Sequence, residues 1–222
     1  ELHIRTFCIQ IFQHRLDSIL LDKKSALFKG YIGTFNLTLN NEFYYIVAQL
    51  NEDEIKEGIN ILFTEIERVK QNGFTSKELE IEKEKEILFY EQAIKAKKTR
   101  STDSIVAEYT RNFLENEYVV GIKDEYKLIK QLLPTISVSD LNKHFLNWFK
   151  FDDRIINIQY PEKIENIISK DELLNLESKI KKSKLSQFAS LVKDEPLLEK
   201  KLPGSKIIFT KNYPSINTRE FR

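Results

Sequence analysis

The sequence predicts an α+β fold in which helices dominate: an antiparallel sheet covered by helices. Most of the chain spaces its apolar residues as a helix with one buried stripe does, while a few short stretches alternate or run apolar as strands do. Only 6 Gly and 5 Pro interrupt 222 residues that are 41% hydrophobic and 11% aromatic. Such a chain has the apolar mass for a core and the composition of neither a disordered segment nor a linker.

Ile4, Cys8, Ile11, Phe12, Ile19 and Leu20 recur at helical spacing over residues 2–21, with His3, Arg5, Gln10, Gln13 and Asp17 largely between them. Tyr31, Gly33, Phe35, Leu37 and Leu39 then alternate with Ile32, Thr34, Asn36 and Thr38, and the run FYYIVAQL follows Asn40-Asn41. This predicts two strands joined by a short Asn-rich turn. Ile55, Ile59, Leu62, Phe63, Ile66 and Val69 form the next helical stripe, begun by a capping-box pair of Asn51 and Glu54 and closed by Gly73. Phe74, Thr75, Glu78 and Leu79 combine a hydrophobic staple with a T-x-x-E box, so a helix starts at Ser76 and runs to about Lys98. Its first half, ELEIEKEKE, reads as solvated charge with intrahelical pairing through Lys83 and Lys85.

A helix beginning at Ser101 puts Ile105, Tyr109 and Phe113 on one face, and a short one over residues 125–133 stops at Pro134. Ile136, Ser137, Asp140 and Leu141 repeat the staple-and-cap pattern ahead of a helix whose Leu141, Phe145 and Trp148 share a side. Residues 154–160 alternate again and predict a third strand ended by Pro161, and residues 170–185 predict a polar helix. DEPLLEKKLPGSK has the Pro, Gly and mixed charge of a linker, and KIIFTKNYPSINTREFR contains strand-like pieces with no partner in sight.

A formal net charge of +1 from 35 basic and 34 acidic residues lacks the one-sided field of a nucleic-acid or anionic-membrane binder. One Cys excludes a disulfide framework and a Cys-rich zinc module. No stretch approaches the roughly 20 apolar residues of a membrane span, and the opening ELHIRTFCIQ does not read as a signal peptide.

Catalytic zinc sites need two or three His, Glu or Asp ligands held together, commonly two His on one helical face. His3 and His14 lie three turns apart and His144 sits in another helix, so each reads as a surface or core-edge histidine. Gly30 and Gly33 form G-x-x-G without the G-K-[ST] of a phosphate loop and read as a bulge or a close backbone approach in a strand. Cys8 lies on an apolar face with no His nearby, where burial raises its pKa and leaves it inert. The basic run KIKKSK over residues 179–184 reads as a solvated helix face.

Several phrases in order carry a resemblance: the helix with Arg15-Leu16, Glu67-Arg68-Val69 through Gly73-Phe74-Thr75 to Glu78-Leu79, TDSIVAEYTRNFL, and LLPTISVSDLNKHFLNWF. EPLLEKKLPGSKI followed by NYPSINTREF extends it. The sequence resembles the pitrilysin/insulinase family of zinc metallopeptidases over nearly its whole length. That family is built from repeated α+β domains closing as a clamshell, with zinc held by H-x-x-E-H and a downstream Glu. This sequence has no H-x-x-E-H. The resemblance is to the second, non-catalytic domain of the N-terminal half, without its opening strand, over residues 1–185, followed by a linker at residues 186–222 toward a further domain.

The resemblance implies a structural, substrate-enclosing role with no catalytic and no metal-binding residue in this segment, zinc being expected in the parent enzyme. Expected partners are other domains of the same polypeptide and a peptide or unfolded protein substrate, with no nucleic acid and no membrane span. By position, Gly30, Tyr31, Ile32 and Gly33 are the expected substrate-contacting strand edge. A bacterial parent implies the periplasm. The alternative is a stand-alone interaction module akin to a non-peptidase core subunit.

Overall fold

In the computed structural model these stripes and alternations become α1 (Leu2–Leu20), β1 (Leu27–Thr38), β2 (Asn41–Leu50), α2 (Ile55–Asn72), α3 (Ser76–Lys95), α4 (Thr102–Glu115), α5 (Ile122–Leu132), α6 (Val138–Trp148), α7 (Lys170–Lys182), β3 (Thr210–Tyr213) and β4 (Thr218–Phe221). The structure describes residues 1–38, 41–149, 154–164, 167–189, 198, 200 and 203–222. Two compact units divide the chain, residues 1–189 and residues 190–222.

Helix starts follow local chemistry. Thr75 with Glu78, Ser137 with Asp140, and Ser169 with Glu172 form reciprocal capping boxes at α3, α6 and α7, each satisfying two otherwise orphaned backbone donors. Phe74 and Leu79, which staple the start of α3, are both buried. Gly73 ends α2 with φ 71°, a conformation that favours glycine, and its N–H donates to the Val69 carbonyl. Asn51 and Glu54 depart from expectation: their side chains bond to each other at 2.8 Å, and a 3₁₀ turn at Glu52–Glu54 leads into α2 instead of a capping box.

In the first unit β1 and β2 form an antiparallel hairpin, and α1 packs along β1. Helix α1 also meets α6 and α3, α2 meets α7 and α6, and α3 meets α5. The core is centred on α1, whose Phe7, Cys8, Ile11, Phe12 and Leu16 are fully buried against Val69, Phe74, Leu79, Ile129, Leu141 and Phe145. Phe145 stacks on Phe12 at 5.7 Å and makes a T-shaped contact with Phe74 at 5.3 Å. Each such side chain contributes about 1.5–3 kcal/mol on leaving water, so α1 is the element that holds the unit together.

Arg15 also lies inside this stripe, 1% exposed. Its guanidinium donates to both carboxylate oxygens of Glu78 at 2.7 and 2.9 Å, to Glu65 at 3.3 Å and to the Gly73 carbonyl at 3.1 Å. Phe74 and Phe188 lie against its faces. The acidic stretch of α3 is correspondingly less solvated than its composition implies, because Glu82 is buried and Glu78 turns inward to Arg15.

Residues 154–160 join no strand among the described residues. Their alternation is satisfied by helix packing: Ile158 and Tyr160 lie on a second apolar cluster of Ile59, Ile168 and Leu173, and Arg154 reaches Glu177 of α7 at 2.8 Å. Ile105, Tyr109 and Phe113 share a face of α4 as predicted, and that face is exposed. Residues 190–197, 199, 201 and 202, within the predicted linker, lie outside the described residues. In the second unit the strand-like pieces pair with each other: β3 and β4 form an antiparallel hairpin around Asn217, which adopts a left-handed conformation. No helix among the described residues is long and apolar enough to cross a membrane.

Candidate functional site

Strand β1 carries Gly30, Tyr31, Ile32 and Gly33 side by side, paired in register with Ala48, Val47, Ile46 and Tyr45 of β2. Alternation sends Gly30 and Ile32 toward the helices. Ile32 enters the core, and a Cβ at Gly30 would meet Leu16 at an ordinary 3.6 Å, so space alone does not demand glycine there. Gly33 points to the opposite face, where the Tyr45 hydroxyl lies 2.6 Å from the position a Cβ would take. Close approach of a cross-strand ring therefore accounts for Gly33, and the irregularities of the ladder fall elsewhere, at Leu27/Lys29 and Asn36/Thr38.

The face around Gly33 is open and aromatic. Tyr31, Phe35, Phe43, Tyr45 and Val47 are all exposed on it, with Phe35 stacked on Phe43 at 5.3 Å and Tyr45 tilted against Phe35 at 6.0 Å. On the other side of the hairpin, Tyr44 donates to Glu42 at 2.7 Å, stacks on Trp148 at 4.0 Å, and Glu42 pairs with Arg5 of α1. The hairpin is thus clamped to α1 and α6 by one face and leaves the other free.

The edge of β1 away from β2 meets no other strand among the described residues. Gln13 of α1 reaches it instead: Nε2 donates to the Gly30 carbonyl at 2.9 Å and to Asp17 at 2.8 Å, and Oε1 accepts the Ile32 N–H at 3.1 Å. Only this orientation of the amide matches donors to acceptors at all three contacts. By the two-residue repeat of a strand, Thr34 and Asn36 present their N–H and C=O groups to the same side.

Beside this edge a groove of about 410 Å³ runs between α1 and α3, lined by Ile9, Ile32, Phe89, His14, Glu82 and Lys85 among others. Glu82 accepts from Lys85 at 2.8 Å and lies 3.2 Å from His14 Nε2. His3 lies 3.5 Å from Glu86, whose pKa burial raises. His144 packs edge-on against Trp148, and burial lowers its pKa, favouring the neutral ring. Among the described residues no three His, Cys, Asp or Glu side chains converge as metal ligands would. Cys8 donates weakly to the Leu141 carbonyl, and burial pushes its thiol up, away from the reactive thiolate.

Two residues of consequence escape a reading of the sequence alone. Arg15 had a visible signal, a charge within the α1 stripe between Phe12 and Leu16. Gln13 had none, because a glutamine at a stripe border is ordinary and its reach to β1 depends on how α1 docks.

Comparison with known proteins agrees with this architecture. The family model described as "Peptidase M16 inactive domain" matches residues 9–86. A zinc protease PQQL-like protein of Arabidopsis thaliana is 26% identical over 160 residues, 70% of this chain and 16% of the relative. The probable zinc protease PqqL of Escherichia coli (strain K12) is 20% identical over 185 residues, 81% of this chain and 20% of the relative. The chain therefore spans about a fifth or less of the length of the curated relatives it matches. The crystal structure of the periplasmic protease PqqL from Escherichia coli shares the fold with a TM-score of 0.79 at 18% identity, over 96% of this chain and 24% of that one. The ferredoxin protease FusC, in complex with Arabidopsis ferredoxin, follows at 0.69 and 16%, over 99% and 25%. A helix-rich α+β fold shared with these proteases, the inactive-domain model matched over residues 9–86 and the zinc-protease relatives together make this chain similar to the M16 peptidases, the pitrilysin/insulinase family.

Proposed function

We propose that this chain is a non-catalytic wall of a zinc-dependent metallopeptidase, enclosing a peptide substrate while zinc and the catalytic residues reside in another domain of the parent. The observation that carries the reading is the β1–β2 hairpin, with one face clamped to the helices, the other aromatic and exposed, and a β1 edge through Gly30, Tyr31, Ile32 and Gly33 that no strand pairs among the described residues, Gln13 bonding it at Gly30 and Ile32 and leaving Thr34 and Asn36 beyond. Such an edge holds an extended peptide by main-chain hydrogen bonds, and the aromatic face gives its side chains apolar purchase. Binding away from the metal still contributes to catalysis by fixing the substrate in reach of the reacting centre.

The partners we propose are other domains of the same polypeptide and a peptide or unfolded protein; the complex of a structural neighbour with ferredoxin supports a protein as substrate. Residues 186–222 serve as the tether to a following domain, and the start of that segment is tied down, with Ser186 accepting from Arg68 at 2.6 Å. For a bacterial parent the periplasm is the proposed compartment, in line with the periplasmic relative.

Two measurements test this. The isolated chain is expected to take up no stoichiometric zinc and to cleave no quenched fluorogenic peptide; one-to-one zinc with cleavage would overturn the non-catalytic assignment. An extended peptide is expected to bind the chain and to lose affinity on Thr34→Pro, which removes an outward N–H at an edge position that tolerates proline. Unchanged affinity in Thr34→Pro would remove the edge from the binding site.

A further inference from the structure

The chain leaves α7 across the end of α2, and side chains of α2 grip it there. Ser183 caps α7, and past it residues 184–188 join no helix or strand and make no backbone–backbone hydrogen bond among the described residues. Side chains meet their main-chain groups instead. Gln71 Nε2 donates to the Ser183 carbonyl at 3.0 Å while its Oε1 accepts the Leu185 N–H at 3.1 Å. Asn72 Nδ2 donates to the Leu185 carbonyl at 3.1 Å, and Arg68 donates to the Ser186 carbonyl at 2.6 Å. Arg68, Gln71 and Asn72 all belong to the last turns of α2, so one short helical surface holds the strap.

The strap ends on Arg15. The Phe188 ring lies 4.8 Å from the guanidinium carbon and the Phe74 ring 5.2 Å, and Arg15 is 1% exposed. Arg68, which holds Ser186, also donates to Glu65 at 2.9 Å, and Glu65 accepts from Arg15 at 3.3 Å. The strap therefore reaches the buried network twice, through the Phe188 ring and through Arg68. Its own hold is polar and wet: Ser183, Lys184, Ser186 and Gln187 are exposed, and Leu185 and Phe188 are half-buried. Little apolar area opposes its release, in contrast to the fully buried stripe of α1.

We infer that residues 183–188 are a latch: a strap that docks and lifts as a unit without unfolding the domain, and that seals the Arg15 network while it is docked. With Phe188 in place the ion pairs of Arg15 act where water is excluded; with it lifted, water reaches the guanidinium and screens them. A pull on the chain at Ala189 is thereby converted into a loosening of α1 against α2 and α3, the helices that carry Glu65 and Glu78. The latch is independent of the strand-edge reading, since neither β1 nor β2 takes part in it.

Native-state hydrogen exchange in the full 222-residue chain, followed by NMR over a series of low urea concentrations, tests this with two probes: the Leu185 amide, held by Gln71, and the Arg15 Nε–H, held by Glu78. Leu185 is expected to be protected and to open with a much weaker urea dependence than global unfolding has. Gln71→Ala removes two strap bonds and none of Arg15's, and is expected to speed exchange at both probes by the same factor, about tenfold. Phe188→Ala is expected to speed the Arg15 probe more than Leu185, and trypsin cleavage after Lys184 is expected to rise in step with Leu185 exchange. Leu133→Ala, which weakens the core away from the strap, is expected to leave Leu185 exchange unchanged. Acceleration of Leu185 by Leu133→Ala, or opening with the full urea dependence of unfolding, would make the strap an integral part of the core and overturn the latch. An unprotected Leu185 amide in the original chain would do the same, because no strap would then be docked. An Arg15 probe unmoved by both Gln71→Ala and Phe188→Ala would refute the seal.

Discussion

Replacing Arg15 by Met is expected to destabilise the chain by about 3 kcal/mol, the lower end of the range for breaking a buried ion network. Arg15, at 1% exposure, and Glu65, at 2%, are both out of water, and no solvent can take over the four hydrogen bonds that the guanidinium makes. The figure sits at the lower end because neither carboxylate is stranded entirely. Glu65 keeps the Arg68 Nε at 2.9 Å, and Glu78 keeps the Thr75 N–H at 2.7 Å. Methionine also fills part of the space between Phe74 and Phe188, which the guanidinium now occupies. For a chain of this size about 3 kcal/mol corresponds to a drop in Tm of about 6–12 °C. Urea titration at neutral pH measures the loss directly, and Arg15→Lys, which keeps the charge and loses the fork, is expected to fall between. Combining Arg15→Met with Glu65→Gln tests the cause: if a poorly compensated carboxylate dominates, the double variant is more stable than the sum of the two losses. Losses below about 1 kcal/mol for Arg15→Met, or simple additivity in the pair, would refute the reasoning.

Three further outcomes follow from local geometry. Gly73→Ala is expected to cost about 2–3 kcal/mol in urea titration, since φ 71° with ψ −172° suits glycine and the new Cβ would lie 2.4 Å from the Asn142 amide that also binds the Phe74 N–H. A loss under about 0.5 kcal/mol would contradict this. Cys8 is expected to resist a thiol-reactive disulfide reagent at pH 8 in the folded chain and to react at once in urea, because burial pushes its thiol up; rapid labelling of the folded chain would show that the α1–α6 seam opens. Glu177 is held at about 2, below its ordinary 4.5, chiefly by its hydrogen bond from Arg154. A depressed carboxylate pKa stabilises the fold above pH 4.5, and that contribution fades as pH falls toward 2. Glu177→Gln is therefore expected to be less stable by about 1–2 kcal/mol at pH 7, with the gap in Tm closing between pH 4.5 and 2. A gap that stays constant with pH would dismiss the pair as its source.

Much of this fold is legible in the sequence because its signals act within one or two turns. The T-x-x-E of Thr75 and Glu78 and the S-x-x-D of Ser137 and Asp140 start helices by contacts three residues apart, and both starts are where the spacing puts them. The alternation in residues 31–38 and the apolar run after Asn41 likewise yield the β1–β2 hairpin. Residues 154–160 alternate just as well, yet a strand needs a partner edge, and here Ile158 and Tyr160 find helices instead. Asn51 and Glu54 carry the letters of a capping box and bond to each other instead, since which of two local hydrogen bonds forms depends on how the chain leaves β2.

At the candidate site the division is the same. Two glycines in a strand are visible in the sequence, while the reason for Gly33, a tyrosine hydroxyl from across the ladder, exists only once the register is set. Arg15 stands in the sequence as a charge within an apolar stripe, but its carboxylates lie 50 and 63 residues away. The sequence by itself determined the boxed starts of α3 and α6, the hairpin and the absence of an H-x-x-E-H zinc motif, all properties of neighbouring residues. Tertiary structure alone decided which stripe residues became partners, which face of the hairpin stayed open, and that Gln13 meets the edge of β1. Those outcomes depend on the docking of α1, and docking is a compromise among contacts from α2, α3, α6 and the hairpin that no short window of sequence contains.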